Sequence, residues 1–591
     1  MPTLTVLLRH IHGVLLLGGK NLFQKATHQF RSTVERVQIG LHFIPEFMIL
    51  LTPMSSFLLG GGKFFFQAAV LHVHHIAVVS LFFQFGKFFF GQRVVAEKGA
   101  LADIIQITRM NEGFFCERGL FLHSGKFLFV TGGCSDYFDV RPKSQVLADE
   151  LFSTEEGFSD QLTGVYKRLA STSLYGQEMT FGLAEALTQN YDLATGSEYY
   201  EAGLYNYENT AVKNKITTVW SQMYSAIANL NIMLEYIDKN PAMFSGDNYR
   251  IYKGEALGLR AFLHLDLLRM FAPSYASNAQ APAIPYVMTY STAVTPQSTI
   301  DKVLDYVIAD AREALGLLET DPLFLADSLE AYTYRNDRSY RFNYYAVAAT
   351  LARAYQWKGG ADNLAQALVY ARKVIEEKKF SWVHYTSITS SNAYERDLLF
   401  ASELLFRLNV LDMDDIIGPY FKEQTDKTKK LSPSEEMWDD IYEVSTKAYG
   451  QDWRHTYHWT YSGSDPYLSK FWQYENGTYK NFMPVLRWSE MYYIAAEASL
   501  NTDSRQAVRY LNTVRNNRYL DFGPLDENLP VTQIQNEIYK EYRKELVGEG
   551  QLFYYYKRLN FASIPGSAVS GSDDIYVLPM PENEVEFGNR Q

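Results

Sequence analysis

Gly254-Glu255-Ala256-Leu257-Gly258-Leu259-Arg260-Ala261-Phe262-Leu263-His264-Leu265-Asp266-Leu267-Leu268 is the stretch whose reading decides the fold class. Ala256, Leu259, Leu263, Leu267 and Met270 share one helical face, while Leu257, Ala261, Leu265 and Leu268 share another. A surface helix needs one apolar stripe. Two stripes require packing on both sides. The pattern predicts a helix from about Asp247 to Phe271, stopped before Pro273. His264 within it reads as a core residue rather than a catalytic base.

Helical periodicity continues on either side. Ser153-Thr154-Glu155-Glu156 opens a helix that Ser153 or Thr154 can cap, with Phe158, Leu162, Val165, Tyr166 and Leu169 on its apolar face. Ile216, Trp220, Met223, Ile227, Leu230, Leu234 and Ile237 form one continuous stripe ending at Asn240-Pro241. Residues 273–299 carry four prolines and read as an ordered loop, because helical pattern resumes at Ile300. Val347, Leu351 and Ala354 precede Gly359-Gly360, and Leu364, Leu368, Ala371, Val374 and Ile375 follow. Ile494, Ala495 and Ala498 are followed by Ala507, Leu511 and Val514. Helix, short turn, helix, with alanine at the contacts, is a tetratricopeptide-like unit. The expected fold is mainly α, with such pairs over about 212–377 and 488–550 and an irregular, loop-rich insert over about 379–486.

The chain changes character at Cys134. Residues 1–133 hold 12 of the 55 Lys and Arg but only 6 of the 67 Asp and Glu, so the remainder carries a net charge near −18. Phe64-Phe65-Phe66 and Phe88-Phe89-Phe90 lie beside Gly60-Gly61-Gly62 without a sustained period. Residues 1–109 are expected to be largely non-native coding sequence, as from a mis-called start, and 110–133 to be a leader segment. Val130-Thr131-Gly132-Gly133 before Cys134 is close to a lipoprotein cleavage site, which makes Cys134 the candidate lipidation residue. Residues 134–150 read as an extended, polar tether.

Two regions concentrate aromatics among polar neighbours. Residues 190–211 hold Tyr191, Tyr199, Tyr200, Tyr205 and Tyr207 with Glu201, Asn206 and Asn209. The insert holds five of the eight tryptophans: Trp382, Trp438, Trp453, Trp459 and Trp472. Aromatic faces on loops suit stacking against the C–H face of a pyranose; the same residues also serve to cover helix ends or fill an irregular core.

Several chemistries lack their motifs. There is no Gly-rich phosphate loop, no Gly-x-Ser-x-Gly elbow and no His-Glu-x-x-His. His455 and His458 flank Tyr457 and read as part of a polar-aromatic loop. A net charge of −12 does not favour nucleic acid as a partner. No catalytic residue, resident metal or cofactor is expected, although Asp412, Asp414, Asp415, Glu582 and Glu584 are loop carboxylates of the kind that hold calcium.

Five separated motifs give the chain a resemblance to the SusD/RagB family of outer-membrane nutrient-binding lipoproteins, over about 134–591. Cys134-Ser-Asp-Tyr-Phe-Asp-Val-Arg-Pro142 is similar to the family's mature N-terminus, and Gly254–Leu268 to its G-E-A-x-x-L-R-A helix. Arg487-Trp-Ser-Glu490-Met-Tyr-Tyr-Ile-Ala-Ala-Glu497-Ala498 resembles R-x-x-E-x-Y-L-x-x-A-E-A. Glu541-Tyr-Arg-Lys-Glu545-Leu-Val-Gly-Glu549-Gly550 resembles E-R-x-x-E-L-x-x-E-G, and Tyr576-Val-Leu-Pro579-Met-Pro581 the closing Y-x-x-P-x-P. Tyr542 replaces the usual arginine, and Leu552 and Tyr555 stand where Arg and Asp usually follow Glu-Gly.

The resemblance implies a lipid-anchored, non-catalytic protein on the outer membrane, facing the cell exterior. It would bind oligosaccharides and pass them to a SusC-like TonB-dependent transporter. It places the ligand face on the loop before the Trp220 helix and on the inserted loops. Tyr199, Tyr200, Tyr205, Tyr207, Asn209, Trp382, Trp453 and Trp459 are then the candidate ligand contacts. A tetratricopeptide-type protein-interaction scaffold is the alternative, and a glycosidase a third reading.

Overall fold

The computed structural model describes residues 143–590, apart from 326–337, 424–426, 447–448 and 463–464. The proposed extension, the leader and Cys134 lie outside the described residues.

The first helix, α1 (Lys143–Leu151), corrects the tether reading: residues from 143 onward are helical rather than extended. α2 (Glu155–Leu169) is capped by Thr154, whose hydroxyl accepts from the Gly157 amide, while the Ser153 hydroxyl turns back to the Glu150 carbonyl. α3 (Thr210–Ile237) stops just before Asn240-Pro241, and Pro241 opens a 3-10 turn instead. α4 (Asn248–Phe271) is buried on every face from Gly254 onward, as the double stripe requires. Gly258 allows close approach: a Cβ there would lie 2.8 Å from side-chain atoms of both Phe342 and Val347.

Burying α4 on all sides forces its polar residues to find partners. Glu255 accepts from the Tyr166 hydroxyl at 2.6 Å and pairs with Arg338. Arg260 makes a bidentate pair with Asp310. His264 Nδ1 lies 2.8 Å from the Arg260 carbonyl, and its Nε2 accepts from the Val287 amide at 3.0 Å. Burial pushes this imidazole down to about 3, so it stays neutral as a core histidine.

α5 (Ile300–Leu317), α6 (Tyr344–Lys358) and α7 (Gly360–Glu376) follow. Then come β1 (Leu404–Asn409), α8 (Met413–Phe421), α9 (Glu435–Tyr442), β2 (Trp459–Ser462), β3 (Asp465–Leu468) and β4 (Phe482–Arg487). α10 (Trp488–Ser499), α11 (Ser504–Asn516), α12 (Val531–Glu545) and α13 (Leu552–Arg558) complete the body. Each helix from α2 to α7 packs on its neighbour in sequence. α7 then packs directly on α10, and α10 on α11 and α12. The helix pairs that the insert separates in sequence are therefore continuous in space.

The insert leaves this stack through a neck. β1 pairs antiparallel with β4, Asn409 opposite Phe482 and Leu404 opposite Arg487, so the two ends of the excursion are tied together. β2 and β3 form a hairpin within it, Trp459 opposite Leu468. Most buried apolar residues belong to one core; Val383, Ile388 and Phe400 form a small second cluster inside the insert.

Candidate functional site

The site begins with a helix whose charges point inward. Glu541 and Glu545 lie one turn apart on α12, and Glu549 follows four residues later. Arg454 bonds Glu541 at 2.8 Å, Glu545 at 3.0 Å and Asp452 at 2.7 Å, with all four side chains almost wholly buried. Arg515 bonds Glu541, and Arg518 bridges Glu545 and Glu403. Arg487 and Lys470 share Glu549. Burial opposes ionisation of Glu541, yet the charges of Arg454, Lys544 and Arg515 hold it well below the usual carboxylate range. Burial likewise brings Lys470 down to about 8 despite Glu549. This network joins the insert (Glu403, Asp452, Arg454, Lys470) to α11 and α12. It explains why the Glu541–Gly550 motif carries glutamates at a spacing of four.

The network fixes an aromatic platform at the surface. Trp453 lies between the buried Asp452 and Arg454, and Tyr519 follows the buried Arg518. The Trp453 amide donates to the Arg518 carbonyl at 3.1 Å. Anchored at both roots, the two rings stack with centroids 6.2 Å apart and planes within 9°. Tyr519 holds a φ of 64°, a left-handed conformation costly for a bulky residue. Tyr385 sits 5.7 Å from Trp453, and Phe522 6.4 Å from Tyr519. Tyr385 is 50% exposed, and Tyr519 and Phe522 are each 48% exposed.

A cleft of about 280 Å³ adjoins the platform. Its wall includes Tyr457, Trp459, Trp472 and Tyr474, with Thr389, Thr456, Thr460, Ser469 and Arg396 as polar groups. The Val383–Ile388–Phe400 cluster underlies both parts, since Trp453, Tyr457 and Leu398 pack against it. Tyr457 is hydrogen-bonded to Tyr385. Burial first, and then that bond, raises its phenol above the ordinary value. Arg396 donates from Nε to the Ser390 carbonyl at 2.7 Å. A smaller recess shares Arg396, Leu398, Trp472 and Tyr474 and adds Tyr394 and Lys480. Aromatic walls with hydroxyl and guanidinium donors can stack a sugar ring and bond its hydroxyls.

The candidate residues read from sequence fall in different places. Trp453 is half-buried, on the platform. Trp459 is 6% exposed and donates from Nε1 to the Tyr442 hydroxyl, and it lines the cleft beside Tyr457 and Trp472. Trp382 packs between Trp488 and Tyr492, with Arg518 over its ring. Tyr199 is 1% exposed and bonded to Glu178 and Gln177. The buried Tyr205 and Tyr207 donate to the carbonyls of Leu187 and Ile575. Tyr199, Tyr205 and Tyr207 thus have no face to offer a ligand, because their rings fill core space, whereas Trp459 keeps an edge on the cleft. Asn209 caps α3, accepting from the Ala211 amide at 2.9 Å. Tyr200, on the one-turn helix Tyr200–Gly203, is half-buried.

Tyr519, Phe522, Tyr385 and Arg396 are platform and cleft residues that pattern reading did not single out as contacts. Two aromatics in the polar loop after α11 were the available signal. His455 stacks on Trp438 at 3.9 Å, and His458 is buried against Phe400. Among the described residues, no group of three or more His, Cys, Asp or Glu is arranged to hold a metal ion. Asp414, Glu582 and Glu584 pair instead with Lys422, Lys213 and Arg590. No described helix is long and apolar enough to cross a membrane.

Comparison with known proteins places these features. Residues 136–356 match a SusD-like family described as starch-binding and associating with the outer membrane, and residues 324–563 match the SusD family. A SusD-like protein, P38, of Formosa agariphila is 26% identical over 211 residues; the match takes in 35% of this chain and only 39% of that relative's length. A crystal structure of a SusD-like carbohydrate-binding protein from Bacteroides vulgatus is 18% identical with a TM-score of 0.58, covering 74% of this chain and 96% of that one. A SusD superfamily structure from Bacteroides thetaiotaomicron is 22% identical, also at 0.58, covering 74% and 98%. The likeness to these structures shows the shared, mainly helical fold. With the two family matches together running from 136 to 563, and with the motifs of α4, α10 and α12 in their packed positions, the chain belongs to the SusD/RagB family.

Proposed function

We propose that this protein is a non-catalytic glycan-binding lipoprotein of the outer membrane that delivers oligosaccharides to a TonB-dependent transporter. The observation that carries the reading is the Trp453–Tyr519 stack at the surface, rigidly rooted and joined through Tyr385 to Tyr457 of the cleft wall. Rings held in place before the ligand arrives lose little freedom on binding. The cleft residues include no carboxylate, so a two-carboxylate cleavage mechanism finds neither its acid nor its base there. Family membership supports the outer-membrane setting. Cys134 would carry the lipid, each buried methylene contributing about 0.8 kcal/mol to anchoring.

Isothermal titration of the protein against soluble starch, host-glycan and plant-fibre oligosaccharides tests this reading. Saturable heat with one class, without cleavage, is the expected result. Heat with none, together with capture of a protein partner that depends on Trp453 and Tyr519, would favour the interaction-scaffold reading instead. Time-dependent cleavage by the pure protein would point to a glycosidase.

A further inference from the structure

The cleft differs in charge from the body that carries it. The chain has a net charge of −12, yet neither the cleft nor its adjoining recess is lined by any Asp or Glu. Arg396 belongs to both. Its Nε is engaged by the Ser390 carbonyl, while Nη1 and Nη2 have no partner among the described residues. Lys480 stands at the recess, its ammonium on the Glu475 carbonyl rather than on a carboxylate. Other arginines near the platform (Arg454, Arg487 and Arg518) are consumed by buried glutamates.

A guanidinium anchored through one nitrogen and open through the other two is oriented for a planar or tetrahedral oxyanion. We infer that the ligand is an anionic oligosaccharide, whose carboxylate or sulfate ester sits on Arg396 while a neighbouring sugar ring stacks on the aromatic platform. This deepens the glycan reading and rests on it. A neutral glycan would meet the free edge of Arg396 with hydroxyls alone and gain nothing from a carboxylate-free wall. An acidic one gains a charge-assisted fork and meets no like charge among the lining residues.

Matched pairs test the inference. Uronate-rich oligosaccharides are titrated beside their carboxyl-reduced forms, and sulfated galactan oligosaccharides beside their desulfated forms. At least one acidic member should bind about tenfold or more tighter than its neutral twin. That preference should shrink with added salt. Arg396→Gln should remove the preference, bringing each acidic member to the affinity of its neutral twin for the same variant, and Arg396→Lys should restore part of it. Which pair shows the preference identifies carboxylate or sulfate. Equal binding within every pair, or a preference untouched by Arg396→Gln, overturns the inference and leaves the glycan reading standing. Loss of all binding to acidic and neutral glycans alike removes both.

Discussion

Replacing Arg454 by Met should be among the most damaging single changes in this protein. Its guanidinium is fully buried and contacts Asp452, Glu541 and Glu545 at 2.7, 2.8 and 3.0 Å. After the change, Glu541 keeps Arg515 and Lys544, and Glu545 keeps Arg518. Asp452 keeps only a backbone amide, that of residue 454. Removing one partner from a buried pair costs about 3–5 kcal/mol, because the other charge stays desolvated and unpaired. A loss toward the upper end is expected, against a typical total stability of about 5–15 kcal/mol. Urea unfolding followed by circular dichroism measures it. Adding Asp452→Asn should recover at least about 1 kcal/mol, since a neutral amide tolerates burial better than an orphaned carboxylate. A loss under about 1 kcal/mol for Arg454→Met, or no recovery in the double variant, would refute the network argument.

Other consequences follow from single positions. Asn209→Ala should cost about 0.5–2 kcal/mol through loss of the α3 cap and leave glycan affinity unchanged, as read by thermal unfolding and titration. Gly258→Ala should destabilise by about 1–3 kcal/mol in urea, since the added methyl meets Phe342 and Val347 at 2.8 Å. Glu185 is buried, which pushes its carboxyl up to about 7, beyond what the Gly548 and Gly550 amides offset. Its folded value lies above the unfolded 4.5, so the stability it contributes is complete below pH 4.5 and is lost as pH rises toward and through 7. Glu185→Gln should therefore flatten the decline between pH 5 and 8, a difference of about 3 kcal/mol at most; an unchanged pH profile would contradict this.

The scaffold was far more legible in the sequence than the site. Helical stripes are local: Ile216 to Ile237 and the two faces of Gly254–Leu268 state their own burial, and α3 and α4 lie where those stripes put them. The capping residue was less determinate, because Ser153 and Thr154 are equivalent acceptors until the turn before α2 is built. Trp453 and Trp459 show why the site was harder to read. They lie six residues apart in equally polar, aromatic surroundings, yet Trp453 is half-buried at the platform and Trp459 is buried at the back of the cleft. Trp459 faces inward because β2 sets it opposite Leu468. Trp453 is held outward because its neighbours Asp452 and Arg454 are drawn inward, Arg454 by glutamates on α12. Partners so distant in sequence leave no periodic trace. Tyr199, Tyr205 and Tyr207 misled for the converse reason, since a loop with polar neighbours hides its rings once each hydroxyl finds a buried carbonyl or carboxylate.

Tyr542, at a position where the family usually has arginine, also has a local reason. It approaches Glu490 at 3.4 Å, and Glu490 already has a bidentate partner in Arg353. A second guanidinium is not needed to neutralise that carboxylate, and a phenol fills the space.

The most direct test of the central claim is a titration of Trp453→Ala against the oligosaccharide that the wild-type protein binds. The account predicts a loss of about 2 kcal/mol or more, roughly thirtyfold in affinity, as for a central aromatic contact, with the fold retained by circular dichroism. An affinity equal to wild type would contradict it and move the ligand away from the Trp453–Tyr519 platform.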